Sequence, residues 1–585
     1  MSNAFVFSGK KIGDFLYKAW EKTAIDNDWD MKFLKKDDIE VFHPALSIHG
    51  DYSTNAALIL FQQQEVRDKF SSPFALANYL ADIINQNKPD FISEVKVVGG
   101  FINYYLSTDY LVSEGINILN KKVYRELKKR GEEKVMVLDY SAPNIAKPFG
   151  IGHLRSTIIG QAIYNLYSCL GWKVIGDNHL GDWGTQFGSL IYMLKEVESK
   201  GKDVDNLTIQ DLENLYVEFH GRLSKYPELK EEARKNFRAL EMGDKVAKKY
   251  WEKCIKLSLK EYKKVYDLLG IKIDETIGES FYVEKAQEVV DDAKKQGVLI
   301  QSLGAQVIKL PKEKVPAMMV KTDGATTYLS RDLATIKYRR ERWNPNLIVY
   351  EVGADQKFHF EQVFSVAQIL GYAKKNELKH VAHGLIRWEE GKFSTRKGST
   401  IHLEKVITEA IERAKGLISD DCQLNEGEKE EVAKAVGVGG IKFNDLKQEP
   451  ERDIIFAWDK ILNLQGYSAA YLQYAYTRCF SLLDKAQSEI DSKIDYDLEK
   501  EEIDLLRSLY LFPEKIIISA EQFSPHFLAQ YLFELSQKYN LFYQRCRIID
   551  EKKEVESFRL FLTSVTAEIL SKGLRILGIQ TLERM

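Results

Sequence analysis

Cysteine is scarce in this sequence. Five occur in 585 residues, Cys169, Cys254, Cys422, Cys479 and Cys546, and no two form a C-x-x-C pair. That scatter argues against a disulfide framework and against a zinc knuckle, and fits buried thiols in a reducing compartment. With 12 prolines, long Pro-rich linkers are absent. No run of 18 apolar residues occurs, so no helical membrane span is predicted. The opening "MSNAFVFSGKKIGDF" lacks the apolar core of a signal peptide, and a cytoplasmic protein is expected. The net charge of −3 argues against a basic coat for nucleic acid. It leaves room for a local basic patch, because 83 Lys and Arg can be unevenly placed. There is no internal repeat, no Walker A pattern and no G-x-G-x-x-G.

What is present is a chain too long for one core, 44% apolar and 29% charged, which is a globular composition calling for several domains. Residues 1–130 read as an α+β unit. "SPFALANYLADIINQ" (Ser72–Gln86) is helix-periodic with Ser72 and Pro73 at its start, and "EVKVVGGFINYYLS" is strand-like, broken at Gly99 and Gly100. From 131 to 400, apolar runs such as "VMVLD" (Val135–Asp139), "KVIGDN", "LIVYEVG" and "HVAHGLI" alternate with helical stretches. That alternation predicts a Rossmann-like α/β domain with a parallel sheet. Residues 190–300 interrupt it with helix formers spaced three and four apart, predicting a helical insertion. Beyond 400 only helix is predicted: a connecting region over 401–460 and an all-α bundle over 461–585.

Between "VMVLD" and the helical "IIGQAIYNLYSCLG" lies "YSAPNIAKPFGIGHLRST" (Tyr140–Thr157). Strand, glycine-containing loop and helix make a geometry that holds phosphate, because a helix start presents unpaired N–H groups and a partial positive charge. Gly150 and Gly152 let a ligand approach the backbone. His153 at the helix start can donate to an anion, and Lys147 adds a full charge on a flexible stem. Alone, each has a plainer reading: turn chemistry for the glycines, a surface histidine, a solvated lysine.

The order of motifs decides between these readings. The stretch resembles the first signature of class I aminoacyl-tRNA synthetases, and its surroundings resemble the arginyl-tRNA synthetase family in particular. "DNHLGDWGTQFG", "TTYLSRDLATIKYR", "VGADQKFHFEQV", "GKFSTRKGSTIHL", "LQYAYTR" and "GLRILGIQTLERM" follow in family order. Two departures stand out. Gly150 occupies the place of the first signature histidine. Thr395 in "KFST" occupies the place of the second lysine of Lys-Met-Ser-Lys, with Lys147 ahead of the first signature as its counterpart.

The resemblance implies activation of arginine by ATP, with magnesium as part of the substrate complex, followed by transfer to tRNA. It implies no tightly bound cofactor, no zinc and no membrane; a monomer is expected. Lys147, His153, Lys392 and Arg396 would serve catalysis, and Gly150, Gly152, His153, Phe393, Ser394 and Lys397 would hold ATP. Asp139, Ser141, Asn144, Tyr328, Asp332 and Gln356 would line the arginine pocket. A carboxylate can take a guanidinium through two parallel hydrogen bonds, which lysine cannot reproduce. Trp183, Tyr467, Tyr471 and Arg478 would meet tRNA, the tyrosines and arginine as part of an anticodon-binding bundle. Two rivals stay open: another class I synthetase or a related nucleotidyltransferase choosing a different acid, and a non-catalytic RNA-binding relative.

Overall fold

A computed structural model describes residues 8–311, 315–388, 402–418 and 424–585. The chain divides into two compact units. One comprises Met1–Arg130, Arg478–Ile516 and Glu534–Ser571; the other comprises Gly131–Thr477, Ile517–Phe533 and Lys572–Met585.

In the first unit, β1 (Val41–Phe42), β2 (Tyr52–Thr54), β3 (Ile92–Val98) and β4 (Phe101–Leu106) form an antiparallel sheet ordered β1-β2-β4-β3. Gly99 and Gly100 make the β3–β4 turn at φ +60° and +90°, a pair of positive φ values that tight hairpins favour and glycine adopts without strain. Against the sheet packs the helix Pro73–Gln86. It starts where the sequence predicts: Ser72 Oγ accepts from the Ala75 N–H at 3.1 Å, and Pro73 takes the first turn, where no donor is needed. Leu76, Ala77, Leu80, Ala81 and Ile84 make its buried stripe. Among this unit's later helices, Arg559 and Glu502 form a buried pair at 2.7 Å.

The second unit is built on parallel strands: β5 (Val135–Asp139), β6 (Lys173–Asn178) and β7 (Glu275–Thr276). A small antiparallel sheet of β8 (Leu299–Ser302), β9 (Ala305–Ile308) and β10 (Ala317–Val320) comes next in the chain. Then β11 (Leu347–Gly353) and β12 (Leu378–His383) complete the main sheet in the order β12-β11-β5-β6-β7. Strand order therefore runs outward in both directions from β5, and the switch point lies between β5 and β11. In such sheets ligands bind at the carboxyl ends of the strands beside that point. Val137 and Ile348 of the sheet and Val363 and Val366 of the helix Lys357–Ile369 are fully buried in one apolar cluster. Each such side chain contributes roughly 1.5–3 kcal/mol by leaving water.

The insertion is helical as predicted through Gln186–Ser199, Ile209–Arg222, Leu229–Glu241 and Lys245–Leu269, but it stops before residue 300, because β7 rejoins the main sheet. A second difference is β14 (Ile454–Phe456), which pairs in parallel with β13 (Ile386–Trp388) where only helix is predicted. Both are strands of two or three residues, too short for an alternation to be read. No helix of the described residues is long and apolar enough to cross a membrane.

Candidate active site

The loop from Tyr140 to Gly150 leaves β5 at the switch point and enters the helix Leu154–Cys169 through a single turn, Ile151–His153. It has a strained backbone. Ser141, Ala142 and Ala146 lie at φ +72°, +43° and +62°, a left-handed region costing non-glycine residues about 1–3 kcal/mol each. Surrounding hydrogen bonds hold it there. The Ser141 N–H donates to Ser156 Oγ (2.9 Å), Ala142 N–H to Asn178 Oδ1 (3.1 Å), Ile145 N–H to Gly181 O (3.1 Å) and Ala146 N–H to Ser258 Oγ (2.8 Å).

Much of that support comes from the insertion. Ser258, Tyr262 and Tyr266 recur every four residues on one face of Lys245–Leu269. Tyr262 Oη donates to the carbonyls of Asn144 (2.6 Å) and Lys147 (3.0 Å), and Tyr266 Oη lies 2.8 Å from Ser141 Oγ. Ser141 is thus buried and turned into the scaffold, while Asn144 and Lys147 stay exposed.

Around the helix entry, His153 stacks on Phe149, ring centres 5.4 Å apart and planes 12° from parallel. Burial, first, and the nearby charge of Lys147 lower its pKa, so it is neutral at pH 7. Its Nδ1 is buried with no hydrogen-bond partner among the described residues. A side chain added at Gly152 would meet open space, whereas Gly150 is buried and bridged to His402. Lys392, Phe393, Ser394, Arg396 and Lys397 lie outside the described residues.

A second cluster stands on the same sheet edge. Tyr328 opens the helix Tyr328–Trp343, with Asp332 one turn on, so the predicted pair does share a face. Tyr328 is 60% exposed, and the Arg331 guanidinium lies 4.3 Å from its ring centre. Asp332 Oδ2 is 2.5 Å from His359 Nε2, and this contact raises the His359 pKa. Gln356 is exposed at the start of Lys357–Ile369, after β11.

Glu279 is a member that sequence reasoning missed. It follows β7, and its Oε2 is buried with no hydrogen-bond partner among the described residues, 3.6 Å from Arg331 Nη1. Burial, chiefly, raises its pKa against the opposing pull of His179 and Arg331, and the negative charges of Asp332 and Asp182 push the same way as burial. Asp182 holds the turn that carries it, accepting from Ser280 N–H (2.8 Å) and Ser280 Oγ (2.7 Å). Any Cβ on Gly278 would collide with the Asp182 carboxylate. The Asp182 carboxylate thus positions Glu279, and the only sequence signal was an acidic residue in a Gly-Glu-Ser turn.

Asp139 differs from expectation. It is buried, and its Oδ2 accepts from Arg339 Nη2 at 2.7 Å; Asp177 Oδ2 lies at 2.7 Å from the same nitrogen. Burial alone would depress the Arg339 pKa, but the two carboxylates outweigh it and the guanidinium stays charged. Asp139 thus faces an arginine of its own chain.

The proposed tRNA contacts are packed side chains. Trp183 sits against Phe237 (5.5 Å) and Trp251 (6.1 Å). Tyr467 and Tyr471 lie half-buried on Phe533, at 4.4 and 5.4 Å. In the other unit, Arg478 covers the Tyr543 ring at 4.6 Å.

A doubly wound sheet with a phosphate-type loop at its switch point and an acidic cluster beside it describes a class I aminoacyl-tRNA synthetase. The family model for the class I (R) tRNA synthetase catalytic domain matches residues 116–458; the DALR anticodon binding domain matches 472–585 and the arginyl-tRNA synthetase N-terminal domain 16–106. An arginine–tRNA ligase of Clostridioides difficile is 36% identical over 96% of this chain and 99% of its own. One from Halothermothrix orenii is 37% identical over 92% and 94%. The crystal structure of arginyl-tRNA synthetase from Plasmodium falciparum superposes with a TM-score of 0.82 at 27% identity, covering 99% of each chain. The chain belongs to the arginyl-tRNA synthetase family, the enzymes that join arginine to its tRNA using ATP.

Proposed function

We propose that arginine binds with its guanidinium between Glu279 and Asp332, and that ATP lies over the loop from Asn144 to His153. The observation that carries this reading is the Glu279 carboxylate, whose Oε2 is buried, makes no hydrogen bond among the described residues and has only a long ion pair to Arg331 Nη1 at 3.6 Å. A half-buried carboxylate whose one ion pair is long keeps acceptor capacity that a second cation can fill. A planar guanidinium offers five N–H donors to two acids, and Tyr328 supplies a ring face on which such a plane stacks. Asn144 and Gln356, exposed at the ends of β5 and β11, are suited to hold the α-amino and carboxylate groups.

With arginine so held, its carboxylate attacks the α-phosphorus of ATP. The new C–O–P bond forms as the bond to the β-phosphate oxygen breaks, and pyrophosphate leaves with its electron pair. Lys147, together with magnesium that arrives with ATP, neutralises charge growing on the phosphates, and the donor ring nitrogen of neutral His153 hydrogen-bonds to them. The family resemblance assigns Lys392 and Arg396 to the same task. A hydroxyl of the terminal adenosine of tRNA then attacks the arginyl carbonyl, and AMP departs. The strained loop pre-sets the positions of Asn144 and Lys147, so little reorganisation remains when substrates bind. Asp139 acts through Arg339, keeping β5 and β6 in register below the site. The helical residues 472–585 hold the anticodon arm. The enzyme works as a monomer in the cytoplasm, and a sedimentation profile in the presence of tRNA tests the first point.

Arginine-dependent exchange of pyrophosphate into ATP, run with and without tRNA, tests the reading. Activity with arginine and none with lysine or citrulline is expected. Equal exchange in Glu279→Gln and wild type would remove Glu279 from the pocket.

A further inference from the structure

A second polar cavity lies on the far part of the signature helix. It encloses about 450 Å³. Its walls come from Leu154–Cys169, the end of Lys245–Leu269, the helix Glu426–Leu446 and the C-terminal stretch Arg575–Thr581. Gln161 and Asn165, on its wall, are eight and twelve residues beyond His153. At 1.5 Å per residue that is roughly 12–18 Å along the helix, well outside the loop that receives ATP.

The cavity contains a buried cation. Lys442 is 4% exposed and donates one hydrogen bond, to Gly578 O. An ammonium carries three N–H groups, so two have no protein acceptor among the described residues. Burial lowers its pKa to about 8. Asn165 Nδ2 converges on the same point: a Cβ at Gly578 would lie 3.3 Å from Lys442 Nζ and 3.9 Å from Asn165 Nδ2. That amide donates to Ile576 O at 3.0 Å and keeps a second N–H. Arg575 and Lys434 stand exposed at the rim. The one acid in the lining, Asp267, already takes Lys263 on both oxygens, at 2.8 and 2.7 Å. Three cations therefore face one carboxylate that is already paired. A buried ammonium with spare donors is destabilising unless an anion completes it.

We propose that this cavity binds a phosphate group, seated on Lys442 and Asn165 and screened at the mouth by Arg575 and Lys434. Tetrahedral phosphate has acceptors enough for all four groups at once. The phosphate is either a free anion or ester, or a backbone phosphate of bound tRNA. The site is separate from the one that performs adenylation.

Crystals of the full chain soaked in selenate test the proposal, with anomalous density expected within hydrogen-bonding distance of Lys442 Nζ. In parallel, thermal unfolding is followed against inorganic phosphate with arginine and a non-hydrolysable ATP analogue saturating the active site. Lys442→Met is expected to weaken the apparent phosphate affinity at least tenfold, and Arg575→Ala and Lys434→Ala severalfold each. The two rim variants are exposed and carry the result if Lys442→Met does not fold. Loss of tRNA affinity in the rim variants, with phosphate competing against tRNA, assigns the group to the tRNA backbone; unchanged tRNA affinity assigns it to a free anion. An empty cavity in the selenate crystals, or density there with the same phosphate response in every variant (an adventitious ion only), overturns the proposal.

Discussion

Arg339 Nη2 donates to Asp139 Oδ2 at 2.7 Å, joining a helix of the second unit to the end of the strand that carries the signature loop. Both groups are buried, and Arg339 also reaches Asp177. Removing one partner of such a buried pair costs about 3–5 kcal/mol. Arg339→Met therefore lowers the denaturation midpoint sharply. Asp139→Asn lowers it too, without raising the KM for arginine more than the KM for ATP. A selective rise in arginine KM would make Asp139 a substrate ligand after all.

Glu279→Gln and Asp332→Asn keep shape and remove charge. A charge-assisted hydrogen bond is worth roughly 1.5–3 kcal/mol, so each raises the arginine KM about ten- to a hundredfold. Pyrophosphate exchange at varied arginine measures this. ATP KM stays within about threefold of wild type, because both side chains belong to the acidic cluster around Arg331 and His359.

Lys147→Ala removes an exposed cation beside His153. Loss of one preorganised charge at a developing oxyanion typically costs about 10²–10³ in kcat. Single-turnover adenylate formation slows by that order while the Kd for tRNA is unchanged. Comparable losses in both would sink its role.

Tyr262→Phe removes the hydroxyl that holds the carbonyls of Asn144 and Lys147. The stability loss is about 1–2 kcal/mol, visible as a small drop in Tm. Adenylate formation falls more than that figure suggests, since the loop relaxes from its left-handed backbone. Addition of saturating ATP and arginine restores part of the Tm by mass action.

With arginine held as proposed, His359 competes with it for Asp332, which lies 2.5 Å from His359 Nε2. Its pKa is raised from 6.5, chiefly by the hydrogen bond to Asp332. The ion pair is fully formed below that ordinary value and is lost as pH rises through the raised one. Arginine KM accordingly falls as pH rises past neutrality, because Asp332 is released to the guanidinium. In His359→Gln the step disappears, and a pH profile of KM from 6 to 9 detects it.

How much of this was written in local sequence differs from element to element. The strand Val135–Asp139, the helix after it and the cap at Ser72 follow from periodicity and from which residues tolerate a helix start. Tyr328 and Asp332 share a face because four residues make about one helical turn. These are properties of a few consecutive residues, so the sequence by itself determined them, along with the family order of the motifs. The partner of Asp139 is 200 residues away in Arg339, and Glu279 reaches the acidic cluster only because Asp182 grips the turn around it. The tyrosines of the insertion read as ordinary helix residues until Lys245–Leu269 lies against the loop. Only the tertiary structure decided these, since charge pairing and loop support depend on distance in space, and pattern along the chain records which side of an element is buried but not what covers it.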